Sequence, residues 1–184
     1  MEEKIDAGGC QHGKKGHISL YEMQKADKPA IEEICDMILT SSVLREGMAR
    51  LLALSRELRM KPCWSHTNVW HCNYKGKRVA TYGVGNGSRW EENELKIKVE
   101  TEKFDRIDDY LLTLPEDMRV ECINGMKCDY CGGCAPGKER MILGDQYSVC
   151  RGSGYRSHKP TSQQFEWIEK FIIARREYID RNRQ

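Results

Sequence analysis

Five of the nine cysteines in this 184-residue chain lie between positions 122 and 150. Three of them read Cys128-Asp-Tyr-Cys131-Gly-Gly-Cys134-Ala-Pro-Gly137, and Cys150 follows sixteen positions beyond Cys134. Thiols at i, i+3 and i+6 do not share a face of a regular helix, and Gly132-Gly133 and Pro136-Gly137 disfavour helix as well. The segment is therefore expected to curl around one point. Thiolates drawn together repel unless a cation neutralises them, and four sulfurs complete the tetrahedron that a structural zinc prefers. The expected ligands are Cys128, Cys131, Cys134 and Cys150, with Cys122 and His158 as reserves that could replace one member. Four protein ligands leave no open coordination position, so such an ion supplies folding energy rather than chemistry.

The same cysteines leave an iron–sulfur cluster open as an alternative. Cys-x-x-Cys-x-x-Cys followed by Pro is similar to part of the bacterial ferredoxin run, which has a fourth Cys before the Pro. Here Ala135 stands before Pro136, and Cys150 would have to close the cluster from a distance. The radical adenosylmethionine spacing is missed by one residue. A Cys128/Cys131 redox pair is the third alternative, although such pairs open helices and Gly132-Gly133 is a poor helix start. The odd cysteine count and the intracellular look of the chain argue against a disulfide framework. Cys35, Cys63 and Cys72 are dispersed, as small buried hydrophobes are.

Around the loop, the patterning predicts an α+β domain. Residues 1–26 read as a flexible segment broken by Gly8, Gly9, Gly13 and Gly16, although Cys10, His12 and His17 within it are metal-ligand types. Residues 27–184 read as a single domain that includes a metal loop over 122–150. Asp27 and Pro29 open a helix with Ile31, Ile34, Cys35, Ile38 and Leu39 on one face. Ser41 or Ser42 starts a second, with Leu44, Met48, Leu51, Leu52, Ser55 and Leu58 inward, ending at Pro62. Alternation over 69–74, a turn at Lys75-Gly76-Lys77 and a return strand to Val84 make a hairpin. Leu95, Ile97 and Val99 form a strand with one wet face. A helix is expected over 102–114 with Phe104, Ile107, Leu111 and Leu112 inward. Met118, Val120 and Cys122 alternate as a further strand, and short strands are expected over 141–143 and 147–150. Thr161-Ser-Gln-Gln164 is a capping box that opens a helix to about Arg181. An antiparallel sheet of about four to six strands, packed by two N-terminal helices, a middle helix and a C-terminal helix, accounts for this order.

Trp64, Trp70 and Trp90 fall within 27 positions, interleaved with Tyr74 and Tyr82. Trp70, Cys72 and Tyr74 share one strand face, so Trp70, Tyr74, Tyr82 and Trp90 are candidate ligand-binding residues, set against a plain aromatic core. No catalytic set emerges. His71 and Cys72 are adjacent in a strand and point to opposite faces, and no Gly-Lys-Ser/Thr follows Gly83, Gly85 and Gly87 as a phosphate loop requires. A formal charge of +2 argues against a general nucleic-acid binder. No apolar run approaches the ~18 residues that span a bilayer, and the start lacks a secretory signal. A cytoplasmic protein with no membrane partner is the expectation.

From Met126 onward the chain resembles short bacterial proteins with a domain of unknown function. They carry a Cys-rich metal-binding-type loop, a Gly-x-x-Tyr-x-x-Cys-like stretch and a Pro-led terminal helix. The matching residues are Cys128, Cys131, Cys134, Gly144, Tyr147, Cys150 and Pro160. The stretch from Trp64 to Val99 is similar to small bacterial α+β domains with a Trp-containing strand and a Gly-Lys hairpin. The resemblance implies fold and metal but no activity. The expectation is a zinc-stapled binding module for a small molecule or protein partner. The alternatives are an iron–sulfur or thiol redox protein using the same cysteines, or a zinc-ribbon-like nucleic-acid binder.

Overall fold

The computed structural model describes residues 20–85, 91–128 and 137–182. Its centre is a five-stranded antiparallel sheet of β1 (Pro62–His66), β2 (Val69–Tyr74), β3 (Lys77–Val84), β4 (Leu95–Val99) and β7 (Tyr155–His158), in the spatial order β1-β2-β3-β4-β7. A separate two-stranded hairpin pairs β5 (Lys138–Ile142) with β6 (Asp145–Val149). Among the described residues, six helices complete the α+β fold: α1 (Leu20–Asp27), α2 (Ile31–Ile38), α3 (Ser42–Glu57), α4 (Ile107–Leu111), α5 (Glu116–Asn124) and α6 (Ser162–Arg181). Among the described residues, no helix is long and apolar enough to cross a membrane.

One face of the sheet is dry because apolar side chains recur at every second residue. Trp70, Cys72, Ala80, Tyr82, Val84, Leu95, Ile97, Val99 and Tyr155 are all buried there, and α2, α3 and α6 cover them. The stripes expected of α2 and α3 are buried as read, from Ile31 to Ile38 and from Leu44 to Ser55. In α6 the expected Phe165, Ile168, Phe171, Ile172 and Ile179 are buried. Its capping box is formed: Gln164 N donates to Thr161 Oγ1 at 3.3 Å, and Thr161 N to Gln164 Oε1 at 3.0 Å. The helices α3 and α6 cross at Gly47, where a Cβ would collide with the buried Phe165 ring. Arg175, buried on α6, donates to Glu102 Oε1 at 2.7 Å and lies over Tyr110 and Tyr178.

Two of the hairpin turns that set strand register are two-residue connections with positive φ at both central positions. Lys75 (φ 47°) and Gly76 (φ 77°) join β2 to β3, and Leu143 (φ 52°) and Gly144 (φ 91°) join β5 to β6. Positive φ at both central positions matches the right-handed twist of a hairpin.

The structure differs from the sequence reading at four places. Part of the expected flexible segment, residues 20–26, belongs to the helix α1, seated on β1 through the buried Gln24; residues 1–19, with Cys10, His12 and His17, lie outside the described residues. Met118, Val120 and Cys122 belong to a helix, not a strand. Pro115 stands at the N-cap with Glu116 and Asp117 in the first turn, signals that suit a helix start, and Val120 is exposed while Met118, Cys122 and Ile123 are buried. The helix expected over 102–114 contracts to α4, with Tyr110 inward and Leu112 exposed. The strands β1 and β7 add the two outer members of the sheet.

Candidate functional site

The stem of the Cys loop is built by backbone pairing. Lys127 and Val149 form an antiparallel bridge; Cys128 N donates to Ser148 O at 3.0 Å, and Cys150 N to Met126 O at 3.1 Å. Residues 126–128 therefore run beside β6, which pairs with β5 along its other edge through Lys138 and Val149. In this register Cys128 lies opposite Ser148 and Cys150 opposite Met126. Both cysteines alternate away from the side that Lys127 and Val149 present. They are diagonal neighbours, a relation that places Cβ atoms within about 7–8 Å.

The other end of the loop returns to the same point. A Cβ on Gly137 would lie 2.7 Å from the Cβ of Cys128 and 2.8 Å from the Val149 carbonyl oxygen. Only a residue without a side chain permits that approach. The chain thus leaves at Cys128, returns at Gly137 against Cys128, and passes Cys150 on the neighbouring strand. Cys128 and Cys150 are both half-buried and outside any disulfide among the described residues, and the Cys150 thiol donates to the Lys127 carbonyl at 3.9 Å. Cys131 and Cys134 fall in 129–136, outside the described residues. Among the described residues no group of three or more His, Cys, Asp or Glu is placed to hold a metal.

The reserve ligands are engaged elsewhere. Cys122 is fully buried on α5, and burial, followed by the Glu121 charge, pushes its thiol up to about 12, so it stays protonated. His158, on β7, has Nε2 2.6 Å from Glu94 Oε2.

The aromatic candidates do not converge on one pocket. Trp70 and Tyr82 are opposite each other in the β2–β3 ladder and buried under the helices. Ser55 Oγ of α3 lies 3.2 Å from the Tyr82 hydroxyl, and the Cys72 thiol donates to Ser55 Oγ at 3.7 Å. Tyr74 points to α6 instead, donating to Asp180 at 3.0 Å with Arg176 over its ring. Trp90 lies outside the described residues. On the opposite, wetter face, one row across all five strands runs Cys63, His71, Thr81, Lys98 and Arg156. It carries two bases, Lys98 and Arg156, and its one aromatic ring is the imidazole of His71, which packs edge-on against His66.

A concave site does exist, at the β1 edge of the sheet. A cleft of about 740 Å³ opens between the start of α2, the end of α3 and β1. Trp64 and Pro29, both part-exposed, contribute its apolar surface, and Trp70 and Met60 line it while only 1% exposed. The sequence signal for it was the Trp64–Trp70 pair, opposite each other in the β1–β2 ladder. The recognition of β1 as a strand was the missing step.

Compared with protein-family models, curated proteins and solved structures, the chain matches none.

Proposed function

We propose that this chain is a binding module for a small molecule or protein partner, with its Cys loop stapled by a structural zinc ion held by Cys128, Cys131, Cys134 and Cys150. The observation that carries the reading is the stem. Two of the four thiols sit as diagonal neighbours on hydrogen-bonded strands at the closure of the loop that holds the other two. Two preorganised ligands reduce the conformational entropy lost on binding the ion. Four thiolates bring four negative charges that a divalent soft or borderline cation offsets. In this reading the ion's part is to fix 126–150 as one unit against β7 and α5, where Arg156 N donates to Gly125 O at 3.0 Å.

The test is substitution with a metal readout. Cys131→Ser and Cys150→Ser should each lower both bound zinc and the melting midpoint, and a strong chelator should do the same to the unsubstituted chain. Cys63→Ser, on the distant β1 edge, should change neither. A metal-loaded protein that melts unchanged with Cys131→Ser would refute the staple.

A further inference from the structure

The cleft at the β1 edge deepens the binding-module reading, on which it rests, and is independent of the metal. We propose that it takes a small anion carrying a planar ring.

Its volume, about 740 Å³, falls in the range of small-molecule sites. The two indoles that line it have their polar atoms already satisfied. Trp64 Nε1 donates to Gln24 Oε1 at 3.1 Å, and Trp70 Nε1 to the Pro29 carbonyl at 3.0 Å. Both rings are pinned by their nitrogens; the part-exposed Trp64 offers a ligand apolar surface in a fixed orientation, while Trp70, 1% exposed, backs the wall. That surface suits a planar partner that can stack or pack edge-on.

The charge around this apolar wall is predominantly positive. Lys28, Arg56, Arg59 and Lys61 line the cleft, against a single carboxylate, Glu32. Glu32 is already paired with Arg56. Among the described residues, Lys28, Arg59 and Lys61 form no ion pair. On a chain whose formal charge is only +2, three unpaired cations around one concavity favour an anionic ligand.

Two of these cations occupy positions where a cheaper residue exists. Lys28 (φ 44°) follows α1 and Arg59 (φ 58°) follows α3, both in the left-handed conformation. Glycine is the usual residue at such helix ends. The bonds that hold the bends, Lys28 N to Gln24 O at 2.7 Å and Met60 N to Ser55 O at 2.8 Å, need only backbone. The side chains there are not required by the turns, and both border the cleft. At the same wall α2 begins at Ala30, which supplies no side-chain cap, so its first amide groups remain available as donors.

Ring and charge together could come from a nucleotide or from an aromatic carboxylate, and the experiment separates the two. The full chain is titrated by calorimetry and tryptophan fluorescence with AMP and with anthranilate. Adenosine and aniline serve as uncharged controls, and inorganic phosphate as a ringless one. Cys63, exposed beside the cleft, supplies an independent readout through its alkylation rate. We expect saturable binding of AMP or anthranilate at or below about 1 mM, at least tenfold tighter than its own uncharged control and than phosphate, with slower Cys63 alkylation. AMP alone identifies a nucleotide-type site and anthranilate alone a carboxylate site. Lys28→Ala with Lys61→Ala, both exposed, should weaken binding at least tenfold without moving the melting midpoint. Absence of saturation by both probes, or binding that ignores the charge or the lysine substitutions, would overturn the proposal. Zinc content measured on the same preparation keeps this result separate from the staple. Metal without ligand sinks only the cleft, and ligand without metal sinks only the staple.

Discussion

Gln24→Ala is the substitution that most directly probes how the chain builds the wall of the cleft. Gln24 is 3% exposed and makes three hydrogen bonds with one amide. Its Nε2 donates to Asn68 Oδ1 at 2.7 Å, and its Oε1 accepts from Asn68 N at 2.8 Å and from Trp64 Nε1 at 3.1 Å. Asn68 sits at φ 60° in the β1–β2 turn, itself buried. Removing the amide takes partners from two buried groups of Asn68, at about 1–3 kcal/mol each, and from an indole that water can partly reach. Regained side-chain freedom returns up to about 2 kcal/mol. The net expectation is a loss of about 2–4 kcal/mol, read as a lower urea midpoint with α1 and the β1–β2 turn losing amide protection first. Gln24→Met separates the two possible origins, because it keeps the length and loses the polar atoms. It should be destabilised nearly as much as Ala. Full recovery of stability with Met would show that packing, not hydrogen bonding, holds α1 to the sheet.

Three further outcomes follow from the packing and the titrating groups. Gly47→Ala should destabilise by about 1–2 kcal/mol, because overpacking against Phe165 costs more than the helix-propensity gain of about 1 kcal/mol returns; Phe165→Leu should relieve it in a double-mutant cycle. Burial acts to raise the Glu94 carboxyl, but hydrogen bonds from His158 and Lys159 outweigh it and hold it below its ordinary value. Its contribution is therefore present above that ordinary value of 4.5 and is lost as pH falls through the lower folded value. Acid titration of stability should show this slope, and Glu94→Gln should remove it. In thiol mapping at pH 8, exposed Cys63 should alkylate ahead of Cys35, whose thiol burial and neighbouring Glu32 and Asp36 push up to about 12. Chelation should then open Cys128, Cys131, Cys134 and Cys150 to reagent while Cys35 and Cys122 stay protected; equal labelling of all would contradict the burial pattern.

The elements legible in the sequence are those with a long period or a specific terminal signal. The helical stripes of α2, α3 and α6, the capping box at Thr161, and the alternation of β2, β3 and β4 all lie where they were read. Short elements were ambiguous. Met118, Val120 and Cys122 fit a two-residue period over five positions, but the acidic first turn after Pro115 and the burial of Ile123 belong to a helix. The strands β1 and β7, five and four residues long, are held by neighbours on one edge and have little pattern of their own. The candidate metal ligands were chosen from spacing alone, and the structure adds the pairing of Cys128 with the strand of Cys150. The cleft was not legible, because Lys28, Arg59 and Trp70 come from three separated segments that only the β1–β2 pairing and two left-handed turns bring together.

The zinc staple is tested most directly by elemental analysis with a visible spectrum on full chain purified without oxygen or added metal. The account predicts about one zinc per chain and no visible absorption, as a closed four-thiolate site requires. Iron with acid-labile sulfide and a brown spectrum would contradict it and make the same four cysteines a cluster site. A metal-free chain that folds and melts as before would contradict it as well.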